Sequence, residues 1–208
     1  MISGRFITLE GGEGVGKTTN IAYIKSLLEE KHIPFLLTRE PGGTALAENL
    51  RQLLLDKEQE AIAGQAELLM MFAARAQHIK HIIKPALELG TWVLCDRFTD
   101  ATYAYQGGGR NMAVSAIQWL ENFVQADLRP DLTLLLDAPI QLGMQRAEQR
   151  GKLDRFESEK MAFFAKVREA YLAIAEQQPQ RVKIIDATQS LEKVQNQIKQ
   201  TLTPFIYE

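Results

Sequence analysis

Five short apolar runs, at 6–9, 34–37, 92–95, 132–136 and 182–185, punctuate the chain. None alternates cleanly between polar and apolar positions, which is the pattern of strands buried on both faces. Longer stretches with apolar residues at helical spacing fall between and around them, at 18–31, 45–56, 65–88, 112–126, 140–149, 157–177 and 190–202. Strand, helix, strand in this rhythm predicts an α/β fold in three layers, a five-stranded parallel sheet flanked by helices. Pro85 falls inside the stretch 65–88 and is expected to bend or end that helix, because it lacks an N–H and its ring crowds the preceding turn. No repeat, low-complexity tract or linker divides the sequence, so 1–208 reads as a single domain.

Two segments break the rhythm. Residues 97–112, rich in Gly, Tyr and Thr, directly follow a strand. Ligands of open parallel sheets gather beyond the carboxyl ends of strands, so this segment reads as a binding loop. Residues 150–157 are highly charged, and the stretch from about 146 to 157 is read as a short lid.

Composition narrows the class. The chain is 46% hydrophobic and 24% charged, with 24 Lys+Arg against 26 Asp+Glu and a formal net charge of −2. That balance gives no support for a general polyanion or nucleic-acid binder, so any phosphate recognition must be local. Cys95 is the only cysteine and reads as a buried thiol in a reducing compartment. No stretch approaches membrane-spanning length and the first residues lack a signal-peptide core, so a cytoplasmic protein is expected.

The chemistry begins at Gly11-Gly12-Glu13-Gly14-Val15-Gly16-Lys17-Thr18, which fits G-x-x-x-x-G-K-[ST] between a predicted strand and a predicted helix. Backbone N–H groups must converge on phosphates there, which calls for glycine conformations and a helix N-terminus behind them. Lys17 would reach the terminal phosphates of ATP and Thr18 would ligate Mg²⁺, with Thr19 next in the helix. The fold expected is therefore of the P-loop NTPase type. Glu13 is out of keeping with bound phosphates; it either accepts a hydrogen bond from an acceptor hydroxyl or faces solvent. The guanine-reading tetrapeptide N-K-x-D is absent, which argues against a GTPase switch.

Further residues point to a second substrate. Thr38-Arg39-Glu40-Pro41-Gly42-Gly43-Thr44 follows the second strand, where Arg39 can fork onto a phosphate or sit as a solvated charge. Phe72 and Arg75, three apart on one helix, would share a face: an aromatic to stack on a base and a guanidinium to bond its edge, or a core residue and a surface one. Asp96-Arg97-Phe98 closes the third strand, placing a candidate Mg²⁺ carboxylate beside a candidate phosphate cation. Asp137, at the end of the fourth strand, is the rival metal carboxylate.

Glu13 in the loop, the TREPGGT run, Phe72 with Arg75, Asp96-Arg97 and Tyr105-Gln106-Gly107 occur in the order seen in thymidylate kinases, and the chain resembles the bacterial form over nearly its whole length. The resemblance implies transfer of a phosphoryl group from ATP to dTMP, in an Mg²⁺-dependent homodimer. It implies that Glu13 lies on the 3′-hydroxyl side of the sugar and that Arg39 and Arg97 hold the acceptor phosphate. Phe72 would stack on thymine, with Arg75, Thr102 and Gln106 reading its polar edge. Tyr105 would sit where a ribose 2′-hydroxyl would be, and Asp96 would belong to the metal's water shell. Phe98 departs from the family's usual Tyr or His, and Tyr103 stands where a smaller or polar residue is common, which could tighten the pocket.

Phosphoryl transfer asks for alignment and cationic charge more than covalent chemistry. One branch of the family carries an arginine in the loop after the acidic residue; this chain has Gly14 there. The resemblance moves the missing cation to the lid, where Arg146, Arg150, Lys152 and Arg155 fall within ten residues, with Arg150 and Arg155 as the matching positions. Glu148 stands where relatives can carry a further arginine. Asp186-Ala187-Thr188 resembles the family's adenine-side loop. Other nucleoside monophosphate kinases, deoxynucleoside kinases and a non-catalytic nucleotide-binding regulator are the competing readings.

Overall fold

The computed structural model describes residues 4–58, 60–148 and 154–207. Five strands, β1 (Phe6–Gly11), β2 (Phe35–Arg39), β3 (Trp92–Asp96), β4 (Leu132–Asp137) and β5 (Val182–Asp186), form one parallel sheet in the order β2-β3-β1-β4-β5. The expected five-stranded α/β architecture is what the chain adopts. β1 is buried along its whole length because it lies centrally and both its faces are covered, which explains its unbroken apolar run.

The helices are α1 (Lys17–Glu30), α2 (Ala45–Leu55), α3 (Gly64–His78), α4 (Lys84–Glu88), α5 (Thr99–Thr102), α6 (Val114–Gln125), α7 (Ile140–Glu148), α8 (Met161–Gln177) and α9 (Leu191–Tyr207). Alternation along the strands sorts the core. Ile7 and Leu9 of β1 pack with Ile24 and Leu28 of α1 and Ile198 of α9 on one face. Phe6 points the other way, towards Ile79 and Ile83, while on that same side Leu135 of β4 meets Phe164 and Val167 of α8. The sheet is thus the middle layer of three.

Pro85 does not end its helix. A π-helical stretch, Ile79–Ile83, joins α3 to α4 and places Pro85 in the first turn of α4, where a missing N–H costs least. The segment 97–112 is also a correction. It is mostly helical, α5 followed by a π-helical stretch Tyr103–Gly109, rather than a loop. Its glycines serve close packing: a Cβ on Gly108 would lie 2.7 Å from the Lys166 carbonyl oxygen of α8 and 2.8 Å from the Ala170 Cβ. Tertiary approach outweighs the low helix propensity of glycine here.

Candidate active site

β1 delivers the phosphate loop to the sheet's carboxyl edge. Gly11, Gly14 and Gly16 have φ of 138°, 67° and 92°, conformations that favour glycine. Gly16 caps α1, so the first amides of that helix face the loop. A Cβ on Gly14 would overlap the backbone carbonyl of Gly143 in α7, so no long cationic side chain fits at that position. Lys17 folds back on the loop, donating from Nζ to the carbonyls of Gly12 (2.8 Å) and Gly11 (3.2 Å). Burial lowers its pKa and Arg97 adds to the effect, while Glu13 and Asp96 oppose it.

A cavity of about 440 Å³ opens in front of this loop, a volume ordinary for a small-molecule site. Glu13, Gly14, Val15, Gly16, Lys17, Thr18 and Thr19 form one wall. Arg75 and Met71 of α3, Asp96-Arg97-Phe98 beyond β3, and Thr102, Tyr105 and Gln106 of the helical segment line the remainder, with Glu40, Pro41 and Arg51 at one side. Gly11 and Gly12 lie behind the loop and face a smaller pocket.

At the end near the loop, Arg97, Glu13 and Tyr105 are knitted together. Arg97 donates to the Gly11 carbonyl (2.8 Å) and to Glu13 Oε1 (2.7 Å), and the Tyr105 hydroxyl donates to the same Glu13 oxygen (2.8 Å). The Arg97 guanidinium also lies 4.9 Å from the centre of the Tyr105 ring. Glu13 therefore faces the cavity, not solvent.

At the far end Arg75, almost fully buried, donates from Nε to Glu40 (2.7 Å) and from Nη2 to Thr102 (3.0 Å). His78 backs Glu40 at 3.0 Å and is itself joined to Thr38 at 2.7 Å, so the carboxylate that aims Arg75 is fixed in turn. Arg75 Nη1 is buried and has no partner. A guanidinium N–H left in this way calls for an acceptor, and the residue lines the cavity. Gln106 commits its amide N–H to Glu67 at 2.8 Å.

Asp96 Oδ1 is likewise buried without a partner, and Thr18 lines the same cavity. A hard, oxygen-seeking cation such as Mg²⁺ suits these two donors when nucleotide phosphates and waters complete its shell. Among the described residues no group of three His, Cys, Asp or Glu side chains forms a metal site by itself. Asp137, the rival carboxylate, is held by both arms of Arg168 at 2.7 and 2.8 Å.

Several expected site residues are placed elsewhere. Arg39 does not line the cavity; it is half exposed and pairs with Glu48 at 2.9 Å, while Arg51 of α2 reaches the cavity and bonds the Pro41 carbonyl. Phe72 is buried against Leu68 and Ile117, and Met71, four positions before Arg75, lines the cavity instead. Tyr103 turns to α6, donating to Glu121, and does not tighten the pocket. Phe98 packs edge-on against Phe6 and carries the Arg75 guanidinium 5.2 Å from its ring centre, an apolar role that needs no hydroxyl.

The lid arginines separate too. Arg155 is drawn away from the cavity, bonding the Leu54 carbonyl (2.6 Å) and Glu67 (2.7 Å), whereas Phe156 beside it lines the cavity. Arg146 also lines the cavity and reaches the Ala187 carbonyl of the Asp186-Ala187-Thr188 turn at 3.3 Å. Arg150 and Lys152 lie outside the described residues. Local spacing does not single out Met71, because i, i+4 places residues on one face as readily as i, i+3, and no local pattern marks Arg51.

A glycine loop opening a helix on a central strand, a lysine inside it, and a cavity with cations at one end and a directed arginine at the other define a P-loop nucleotide kinase. A family model described as thymidylate kinase matches residues 9–198. The thymidylate kinase of Pseudomonas entomophila (strain L48) is 58% identical over 207 residues, covering 100% of this chain and 98% of its own length. That of Methylococcus capsulatus is 54% identical, covering 95% and 94%. The crystal structure of thymidylate kinase from Ehrlichia chaffeensis superposes with a TM-score of 0.79 at 33% identity, covering 97% of this chain and 99% of that one. This chain belongs to the thymidylate kinase family, whose known function is phosphorylation of dTMP to dTDP.

Proposed function

We propose that this chain moves the γ-phosphoryl group of ATP to dTMP, giving dTDP and ADP, with the acceptor in the 440 Å³ cavity. The observation that carries the reading is Arg75, a buried guanidinium aimed by Glu40 and Thr102 with its Nη1 left over for a ligand acceptor. A thymine carbonyl meets that need; the amino group of cytosine at the same position would set donor against donor. Thr102 and Gln106 stand beside it, and Met71 supplies apolar surface for the ring.

The sugar then falls near Tyr105 and Glu13, and the acceptor phosphate near Arg97 and Arg51. Tyr105, fixed by its hydrogen bond to Glu13, is on this reading the residue a ribose 2′-hydroxyl would meet. Gly11, Gly12, Glu13, Gly14, Val15, Gly16, Lys17, Thr18 and Thr19 form the ATP end of the site, with loop amides and Lys17 on the phosphates. Lys17 must leave the Gly11 and Gly12 carbonyls to reach them, a short exchange of acceptors. Mg²⁺, held through Thr18 and Asp96, would neutralise charge shared between the phosphates. The acceptor phosphate oxygen attacks in line, the bond to the β-phosphate bridging oxygen breaks, and ADP leaves. The acceptor is already ionised, so no general base is required. Arg146, and Arg150 from the segment outside the described residues, are the lid cations of this reading.

ADP release with ATP, Mg²⁺ and a panel of dTMP, dUMP, dCMP, dGMP, UMP and AMP tests it. Strong turnover with dTMP, less with dUMP and little with the others is expected; a different preferred acceptor overturns the assignment. Arg75→Ala should shrink the kcat/KM ratio of dTMP over dCMP by about 10–100-fold, the cost of one hydrogen bond to a charged group. An unchanged ratio rejects base reading by Arg75.

The homodimer rests on Leu69 of α3 and the stacked pair Trp119 and Phe123 of α6, all more than half exposed on neighbouring helices. Trp119→Asp should convert the dimer to a monomer in sedimentation equilibrium; a monomeric parent, or a variant still dimeric, removes this face as the interface. Cytoplasmic placement is part of the same reading, and the lone buried thiol of Cys95 is compatible with it.

A further inference from the structure

Arg97 has a backbone φ of 68°, left-handed for a residue with a bulky side chain. Such a conformation costs about 1 kcal/mol or more and persists only where its neighbours over-determine it. Here two consecutive residues of the central strand pin it from both sides. The Arg97 amide donates to the Leu9 carbonyl at 3.0 Å, and the next amide, that of Phe98, donates to Glu10 Oε1 at 2.6 Å.

Glu10 ends the run just before the phosphate loop and is completely buried. Its second oxygen accepts from the Tyr171 hydroxyl of α8 at 2.7 Å, and that hydroxyl accepts from Arg97 Nη1 at 3.2 Å. One carboxylate therefore holds both the backbone after Arg97 and, through Tyr171, the guanidinium itself. Neither residue lines the main cavity. A carboxylate buried in a strand is costly unless its bonds serve something, and both of these converge on one residue.

We propose that Glu10, acting through the Phe98 amide and the Tyr171 hydroxyl, is the positioning residue that aims Arg97 at the acceptor phosphate. This rests on the reading of Arg97 as an acceptor-phosphate cation. It makes the affinity for the phosphate, and not for the nucleoside, depend on a group underneath the site.

The test is calorimetric binding at pH 9, where the Glu10 carboxyl is ionised, of dTMP and of thymidine, which lacks the phosphate, to the parent, Glu10→Gln, Tyr171→Phe, the double variant and Arg97→Ala. Glutamine keeps one oxygen for Phe98 but cannot accept from Tyr171, so both single variants remove the same arm. Each should weaken dTMP about 5–10-fold, the loss of one hydrogen bond to a charged group, and leave thymidine within twofold. The double variant should be no worse than the weaker single, because members of one network are not additive. Equal weakening of both ligands, or unchanged dTMP binding, overturns the proposal. If Arg97→Ala keeps the parent's preference for dTMP over thymidine, the reading of Arg97 fails and the proposal falls with it. Should Glu10→Gln fail to fold, Tyr171→Phe decides alone.

Discussion

Asp96→Asn is expected to lower kcat by about 10²–10³-fold, the usual cost of one lost electrostatic group at a developing charge, while leaving the melting temperature within about 3 °C. Asp96 Oδ1 is buried and unbonded, so the fold itself makes no use of that oxygen. Removing the charge relieves an uncompensated desolvation, and the weakened attraction to Lys17 and Arg97 works against that gain. The two nearly cancel in the folded protein but not in turnover. A second readout is independent of turnover. Added Mg²⁺ should raise the melting temperature of the parent bound to ATP, by mass action, and do so much less for the variant. A kcat within tenfold of the parent's, or an undiminished Mg²⁺ shift, removes Asp96 from the metal's shell.

The second large effect is on stability against pH. Burial, joined by the nearby charge of Asp100, raises the Glu10 carboxyl from 4.5 to about 8 in the folded protein. Arg97, the Tyr171 hydroxyl and the Phe98 amide act in the opposite direction without overcoming it. A carboxyl raised on folding binds its proton more tightly in the native state. Its contribution to stability is then full below the unfolded value of about 4.5 and is lost as pH climbs through about 8. The total at stake is on the order of 3–5 kcal/mol. Glu10→Gln has no such proton to lose. In urea titrations, the stability of the parent relative to Glu10→Gln should fall between pH 5 and 9 and level off above that. A difference independent of pH shows that Glu10 is ionised in the native protein throughout this range.

Much of the architecture was legible in the sequence, for reasons specific to the segments. The strand runs are short because a parallel strand buried on both faces needs only apolar residues between turns, and the observed strands extend those runs by no more than two residues. Lys17, Glu13, Arg97, Tyr105 and Arg75 were legible because loop and strand ends dictate where such side chains emerge, and the structure brings all five to one cavity. The differences in placement share one cause. Whether Arg39 or Arg51, Phe72 or Met71, faces the ligand depends on how α2 and α3 are rotated against the sheet, which local spacing does not encode. Arg155 pairs with Glu67, which lies 88 positions away, so no local pattern announces that contact. The helical state of 97–112 was hidden by three successive glycines, two of which, Gly108 and Gly109, pack against α8.

That contact has a consequence for how the sequence can drift. Gly108 meets backbone of α8, which cannot swing aside, and a Cβ on Gly109 would run into the ring of Phe163, which stands 6.0 Å from the ring of Tyr105. A single methyl group added at 108 or 109 therefore displaces either a whole helix or the aromatic packing against Tyr105. Mutational scans should find these two glycines as intolerant as those of the phosphate loop, although they touch no substrate. The shape of the cavity wall at Tyr105 is thus inherited from a helix–helix seam, and relatives that alter one side of that seam must alter the other.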